Sequence, residues 1–177
     1  KFDSIIVANN LDYNGMRIVF GEYKKALRNN FDVGFIFYSG HGTQDAYKNT
    51  YLIPVDFPSN PTIDDVEEYA YDFQSFLTTL GRIENKLHVI ILDACRNNPF
   101  ERGWKGKSLL GQGLAEPQDP ANGILIAYST AAGFVANDNA EEGNSLYAST
   151  LSEIMQEPNL KIEEIFKKTR AVVRSKS

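Results

Sequence analysis

Three stretches of the chain are apolar almost throughout: Val33 to Tyr38, Leu87 to Leu92 and Gly123 to Tyr128. Each is bounded by polar or glycine-bearing segments, the pattern of strands buried on both faces of a largely parallel sheet. Ser4 to Ala8 reads as a weaker strand near an edge, and Tyr51 to Val55 as another that Pro54 interrupts. Between the strands, Met16, Val19, Phe20, Tyr23 and Leu27 recur at helical spacing, as do Phe73, Phe76, Leu77 and Leu80. Beyond the third strong strand, Leu146, Tyr147, Leu151, Ile154 and Met155 mark one helix. Ile162, Ile165, Phe166, Val172 and Val173 mark the next, and Pro158 separates the two. Strands alternating with helices predict a three-layer α/β domain with a mostly parallel central sheet. Four connections, Ser39 to Thr50, Asp56 to Glu68, Arg96 to Asn122 and Ser129 to Gly143, are long against the usual median of about 4–6 residues, which marks them as carriers of function.

Composition narrows the picture. A chain of 177 residues, 42% hydrophobic and 23% charged, has the size and core content of one globular domain over residues 1–177. A net charge of -5 and a pI near 5.1 argue against nucleic acid as a partner, because phosphate binding wants a basic face. No apolar run approaches the roughly 20 residues of a membrane span, so no membrane association is expected and the chain reads as a soluble, cytoplasmic protein. The one cysteine excludes an internal disulfide, and one cysteine with two histidines gives no metal-site pattern; neither a metal nor a cofactor is expected. Gly106-Lys107-Ser108 lacks the strand and first glycine of a phosphate loop, and no Gly-x-Ser-x-Gly elbow is present.

The candidate chemistry lies where the strong strands end: Ser39-Gly40-His41-Gly42, Asp93-Ala94-Cys95-Arg96 and Ser129-Thr130. In an open parallel sheet ligands bind outside the carboxyl ends of the strands, so a thiol and an imidazole should share one cleft. A free thiol, with a pKa of about 8.5, is only a few per cent thiolate at neutral pH, and an adjacent imidazole can take its proton. Cys95 is thus the candidate nucleophile and His41 its acid/base partner. Gly42 leaves room for a backbone N–H that, with the N–H of Cys95, would form an oxyanion hole. His88, inside the second strong strand, reads as structural.

Three strings then become recognisable: Phe35-Ile36-Phe37-Tyr38-Ser39-Gly40-His41-Gly42, Tyr51-Leu52-Ile53-Pro54-Val55-Asp56 and Ile91-Leu92-Asp93-Ala94-Cys95-Arg96-Asn97-Asn98-Pro99-Phe100. With Ile126-Ala127-Tyr128-Ser129-Thr130 and Ile162-Glu163-Glu164-Ile165-Phe166 following in order, they closely resemble bacterial caspase-like peptidases of the paracaspase and metacaspase branch. The interval between His41 and Cys95 agrees with the spacing of about 50 residues noted for caspases. The resemblance implies the caspase-hemoglobinase fold, a Cys/His dyad at Cys95 and His41, and protein or peptide substrates cut after arginine or lysine. It implies that Asp93 and a second acid, Asp138, line the pocket for the basic side chain. Family domains open with a central strand and a helix, and this chain begins after both; a short further segment is expected beyond Ser177 as well, so the domain is expected to be incomplete at both ends. The basic, glycine-bearing segment from Glu101 to Asn122 offers Arg102, Lys105 and Lys107 as self-processing sites. Two other readings share the fold: a catalytically silent interaction module, and a thiol hydrolase acting on non-protein amides.

Overall fold

The computed structural model describes residues 2–45, 47, 49–95, 123–129 and 144–176, with backbone alone for Ile63 and Cys95. In chain order the elements are α1 (Tyr13–Asn29), β1 (Val33–Gln44), β2 (Thr50–Leu52), α2 (Ile63–Tyr69), β3 (Tyr71–Asp72), α3 (Phe73–Leu80), β4 (Leu87–Cys95), β5 (Ile124–Tyr128), α4 (Leu146–Ile154) and α5 (Ile162–Lys176). The strands form one sheet in the order β3-β2-β1-β4-β5. The three apolar runs are its parallel members: β1 pairs β4 from Val33↔Leu87 to His41↔Cys95, and β4 pairs β5 from His88↔Ile124 to Leu92↔Tyr128. The short β2 and β3 add on antiparallel.

Strand alternation sends neighbouring residues to opposite layers. On one face Ile90, Leu92 and Ala94 of β4, with Ile36, Tyr38, Ile124 and Ile126 beside them, meet Met16 and Phe20 of α1 and Phe73, Phe76, Leu77 and Leu80 of α3. On the other, Ile91, Phe35 and Ala127 meet Tyr147, Leu151 and Ile154 of α4 and Ile165 of α5. This is the expected three-layer α/β arrangement. The helices start at capping side chains: Asp12 accepts from the Gly15 N–H at 2.7 Å, Asp72 from Ser75 at 2.8 Å and Ser145 from Ala148 at 2.9 Å.

The structure differs from the sequence pattern in three places. Ser4 to Ala8 is not a strand: Ile5, Ile6 and Val7 are exposed, and no strand pairs with them among the described residues. Apolar residues favour a strand only where a ladder partner and a face to pack on exist. The connection from Ser39 to Thr50 is mostly strand, because β1 runs on to Gln44 and turns back tightly into β2. Buried Asp45 makes this turn possible, accepting from the N–H groups of Tyr47 (2.9 Å) and Asn49 (2.8 Å), the Asn49 amide (2.7 Å) and the Tyr51 hydroxyl (3.4 Å). The connection from Asp56 to Glu68 contains most of α2, whose start is fixed by the Asp65 carboxylate accepting from the Thr62 N–H (2.5 Å) and hydroxyl (2.7 Å).

His88 lies in the core at 1% exposure, in accord with a structural role. Its Nδ1 is 3.3 Å from the Tyr23 hydroxyl, which reaches it across Gly34, where any Cβ would come within 2.1 Å of that oxygen. Burial lowers the ring's pKa from the ordinary 6.5 by disfavouring the imidazolium. The unfolded chain therefore binds a proton that the folded chain resists, so stability falls as pH drops below about 6.5 until the lowered folded value is passed. The loss of melting temperature between about pH 7.5 and about pH 5.5 should be smaller in His88→Leu than in the parent, by roughly a few degrees. Parallel slopes in the two proteins would contradict this account.

Candidate active site

β1 and β4 end side by side, and their register pairs Ser39 with Asp93, Gly40 with Ala94 and His41 with Cys95. Since Phe35, Ile91 and Ala127 pack toward α4 and α5, the alternate positions Ser39 and His41 on β1 and Asp93 and Cys95 on β4 belong to that same face. The thiol-bearing and imidazole-bearing residues thus occupy adjacent backbone positions at the carboxyl ends of two parallel strands. His41 is exposed, while Asp93 is buried at 5% exposure.

The Tyr-Ser-Gly-His string has a local explanation. The Tyr38 hydroxyl folds forward over Gly40 and donates to the His41 carbonyl at 2.8 Å. A Cβ on Gly40 would stand 2.6 Å from that hydroxyl, so only glycine leaves the path open. The same carbonyl accepts from the Ile53 N–H at 2.9 Å, which fixes the backbone of His41 from the β2 side. Because Ile53 bonds His41 while Gly42 opposes Leu52, Gly42 is a non-hydrogen-bonded member of that antiparallel pair. Its N–H consequently points away from β2, toward the side occupied by β4.

Asp93 is held from above the sheet. The Ser145 hydroxyl donates to Asp93 Oδ2, and the Ser145 oxygen in turn accepts from the Ala148 N–H at the start of α4. The negative charge of Asp93 reaches Tyr147, whose hydroxyl pKa is pushed up to about 12, first by burial and then by that carboxylate. The ion pairs among the described residues are Lys86 with Asp32 (2.9 Å) and Lys168 with Glu157 (2.5 Å), so no cation of the described chain neutralises Asp93. Among those residues no three His, Cys, Asp or Glu side chains come together as a metal site would require.

Of the residues read from the sequence, the fold brings together His41, Gly42, Asp93 and the backbone of Cys95. Asp138, Arg102, Lys105 and Lys107 lie outside the described residues. Pattern reading missed the clasp of Tyr38 on His41 and the contact of Ser145 with Asp93. A serine just before the Leu146 helix was a visible N-cap signal, but nothing in its spacing from Asp93 announced the contact.

A mixed sheet whose parallel strands deliver a cysteine and a histidine to one edge, with helices on both faces, defines an α/β fold of the caspase type. The chain matches the caspase domain family over residues 1–177 and belongs to it, a family of cysteine peptidases that hydrolyse proteins. Among curated proteins, no relative matches the chain. No helix among the described residues is long and apolar enough to cross a membrane.

Ser145 caps α4 and satisfies a buried carboxylate, and two substitutions separate these roles. Ser145→Gly keeps most of a cap, where glycine ordinarily costs only a few tenths of a kcal/mol. It also strips Asp93 of its donor, so denaturant unfolding near neutral pH should show a loss of about 1–3 kcal/mol. Ser145→Thr retains both functions and should stay close to the parent. A glycine variant losing only the capping increment would mean that the contact with Asp93 contributes nothing.

Proposed function

We propose that this chain is a cysteine endopeptidase that cleaves after arginine or lysine, with Cys95 as nucleophile and His41 as general base and acid. The observation that carries the reading is the β1–β4 register, which sets His41 opposite Cys95 with no insertion or bulge between them. The Cys95 sulfur, having lost its proton to His41, attacks the scissile carbonyl carbon. The oxygen that gains the charge is received by the N–H groups of Gly42 and Cys95, and the orientation of the Gly42 N–H toward β4 supports this assignment. The imidazolium returns its proton to the leaving amine as the tetrahedral species collapses to an acyl-enzyme. Water, deprotonated by His41, then attacks the thioester and frees the sulfur.

Specificity follows from Asp93. Asp93 is a buried carboxylate whose only donor among the described residues is one hydroxyl, and none of their cations pairs with it. A cationic substrate side chain supplies the missing partner, and an acidic or apolar one leaves the cost in place. Asp138 is assigned as a second carboxylate of this pocket on the resemblance of the motifs. Self-processing after Arg102, Lys105 or Lys107 belongs to the same reading, since each offers the side chain the pocket would prefer. The resemblance of the motifs to the paracaspase and metacaspase branch supports a basic preference, in contrast to the aspartate preference of animal caspases.

Cys95→Ala should abolish hydrolysis of an arginyl peptide reporter, and His41→Ala should lower turnover about a thousandfold or more with the fold retained by circular dichroism. Asp93→Ala should reduce kcat/KM for the arginyl reporter by about a hundredfold or more, with little change in the rate at which iodoacetamide alkylates Cys95. Turnover surviving in Cys95→Ala would remove the proposed nucleophile. A matched reporter series preferring aspartate or a large apolar residue would remove the basic pocket. Intact masses of the parent and of Cys95→Ala test processing: loss of mass confined to the parent supports it, and equal masses in both exclude it.

A further inference from the structure

The described residues contain two buried side-chain polar atoms without a hydrogen-bond partner: Nε2 of His88, enclosed in the core, and Oγ of Ser129. Ser129 immediately follows β5. Its N–H donates to the Leu92 carbonyl at 3.1 Å, and the last β4–β5 pair is Leu92↔Tyr128. One further step of the same register sets Ser129 beside Asp93, on the flank opposite Ser39. Two residues earlier, Ala127 packs toward α4 and α5, so Ser129 continues the face that carries Asp93. The carboxylate is therefore bracketed by three serines: Ser39 on β1, Ser129 after β5, and Ser145 at the start of α4.

We propose that Ser129 is a specificity-determining residue of the cleft, its hydroxyl accepting an N–H of the substrate guanidinium held by Asp93. The inference rests on the reading of Asp93 as receptor for a basic side chain. An interior hydroxyl with no partner destabilises the free protein, and alanine in its place would relieve that penalty. Such an oxygen beside a carboxylate with a single donor among the described residues fits a site whose hydrogen bonds close around a ligand. A guanidinium presents five N–H donors in a rigid plane. Asp93 alone cannot take all five, because a carboxylate offers about four lone-pair sites and Ser145 already uses one of them. Ser129, one strand spacing of about 4.8 Å away, supplies an acceptor at the edge of that plane. The ammonium of lysine concentrates three donors at one point and gains less from an acceptor displaced to the side.

The test uses the whole chain and two peptide reporters that differ only in carrying arginine or lysine before the scissile bond. Parent, Ser129→Ala and Asp93→Asn are compared for kcat/KM, melting temperature and rate of Cys95 alkylation by iodoacetamide. In Ser129→Ala, arginyl kcat/KM should fall about tenfold or more through KM, the value expected for one hydrogen bond to a charged group. The lysyl value should fall by less, alkylation should be unchanged, and the melting temperature should stay level or rise. A merely structural serine would move melting temperature without moving the arginine-to-lysine ratio, and that result overturns the proposal. So does an unchanged ratio in Ser129→Ala alongside loss of arginyl cleavage in Asp93→Asn, which leaves the Asp93 pocket standing. If Asp93→Asn cleaves the arginyl reporter as well as the parent does, the pocket itself fails and the role of Ser129 fails with it.

Discussion

The parallel pairing of β1 with β4 is the constraint on which the rest depends. Every residue from Val33 to His41 has its partner from Leu87 to Cys95, and a slip of one position would turn each side chain to the opposite layer. Both faces oppose such a slip. Ile36, Ile90 and Leu92 are committed to the core under α1 and α3, and Phe35 and Ile91 to the one under α4 and α5. The start of the pair is tied as well, by the Leu87 N–H on the Asp32 carbonyl at 3.0 Å and the ion pair of Lys86 with Asp32. Hydrophobic burial at one end of the strands thereby determines which polar residues meet at the other. No separate device is needed to bring His41 to Cys95.

Two buried aspartates near that end sit in contrasting environments. Asp45 has four donors converging on its two oxygens, three from the turn it closes and one from Tyr51 of β2, and its hydrogen-bonding capacity serves the hairpin. Asp93, equally buried, receives one hydroxyl among the described residues, and one further step of the β4–β5 register sets it beside Ser129, whose buried hydroxyl is unpartnered among those residues. Folded proteins satisfy buried polar groups almost without exception, and under the proposed function the basic side chain of the substrate completes this set. The chain belongs to the caspase domain family of cysteine peptidases, and we propose that this site carries that chemistry.

The same contrast applies to rigidity. The His41 backbone is clasped by Tyr38 and Ile53, yet its side chain is exposed, which suits the proton-transfer role proposed for it. Gly40 serves this arrangement by absence, since the Tyr38 hydroxyl occupies the space of a Cβ. Pre-setting the backbone while leaving the ring accessible keeps the geometry of the pair from depending on the substrate.

The sequence by itself determined the three parallel strands, the four long helices and the convergence of His41 with Cys95, because burial on two faces writes a continuous apolar run and parallel strands must end together. It also marked α2, in retrospect, through Thr62 and Asp65, a capping signal that a search for apolar periodicity passes over. Only the tertiary structure decided that Ser4 to Ala8 forms no strand with the described residues, that the segment after His41 is a hairpin held by Asp45, and that Ser145 bonds Asp93. Periodicity records which way a residue faces within its own element. Contacts between residues as far apart as Asp93 and Ser145 depend on how whole layers stack, and a hydroxyl that bonds across layers leaves the same trace in the sequence as one that faces water.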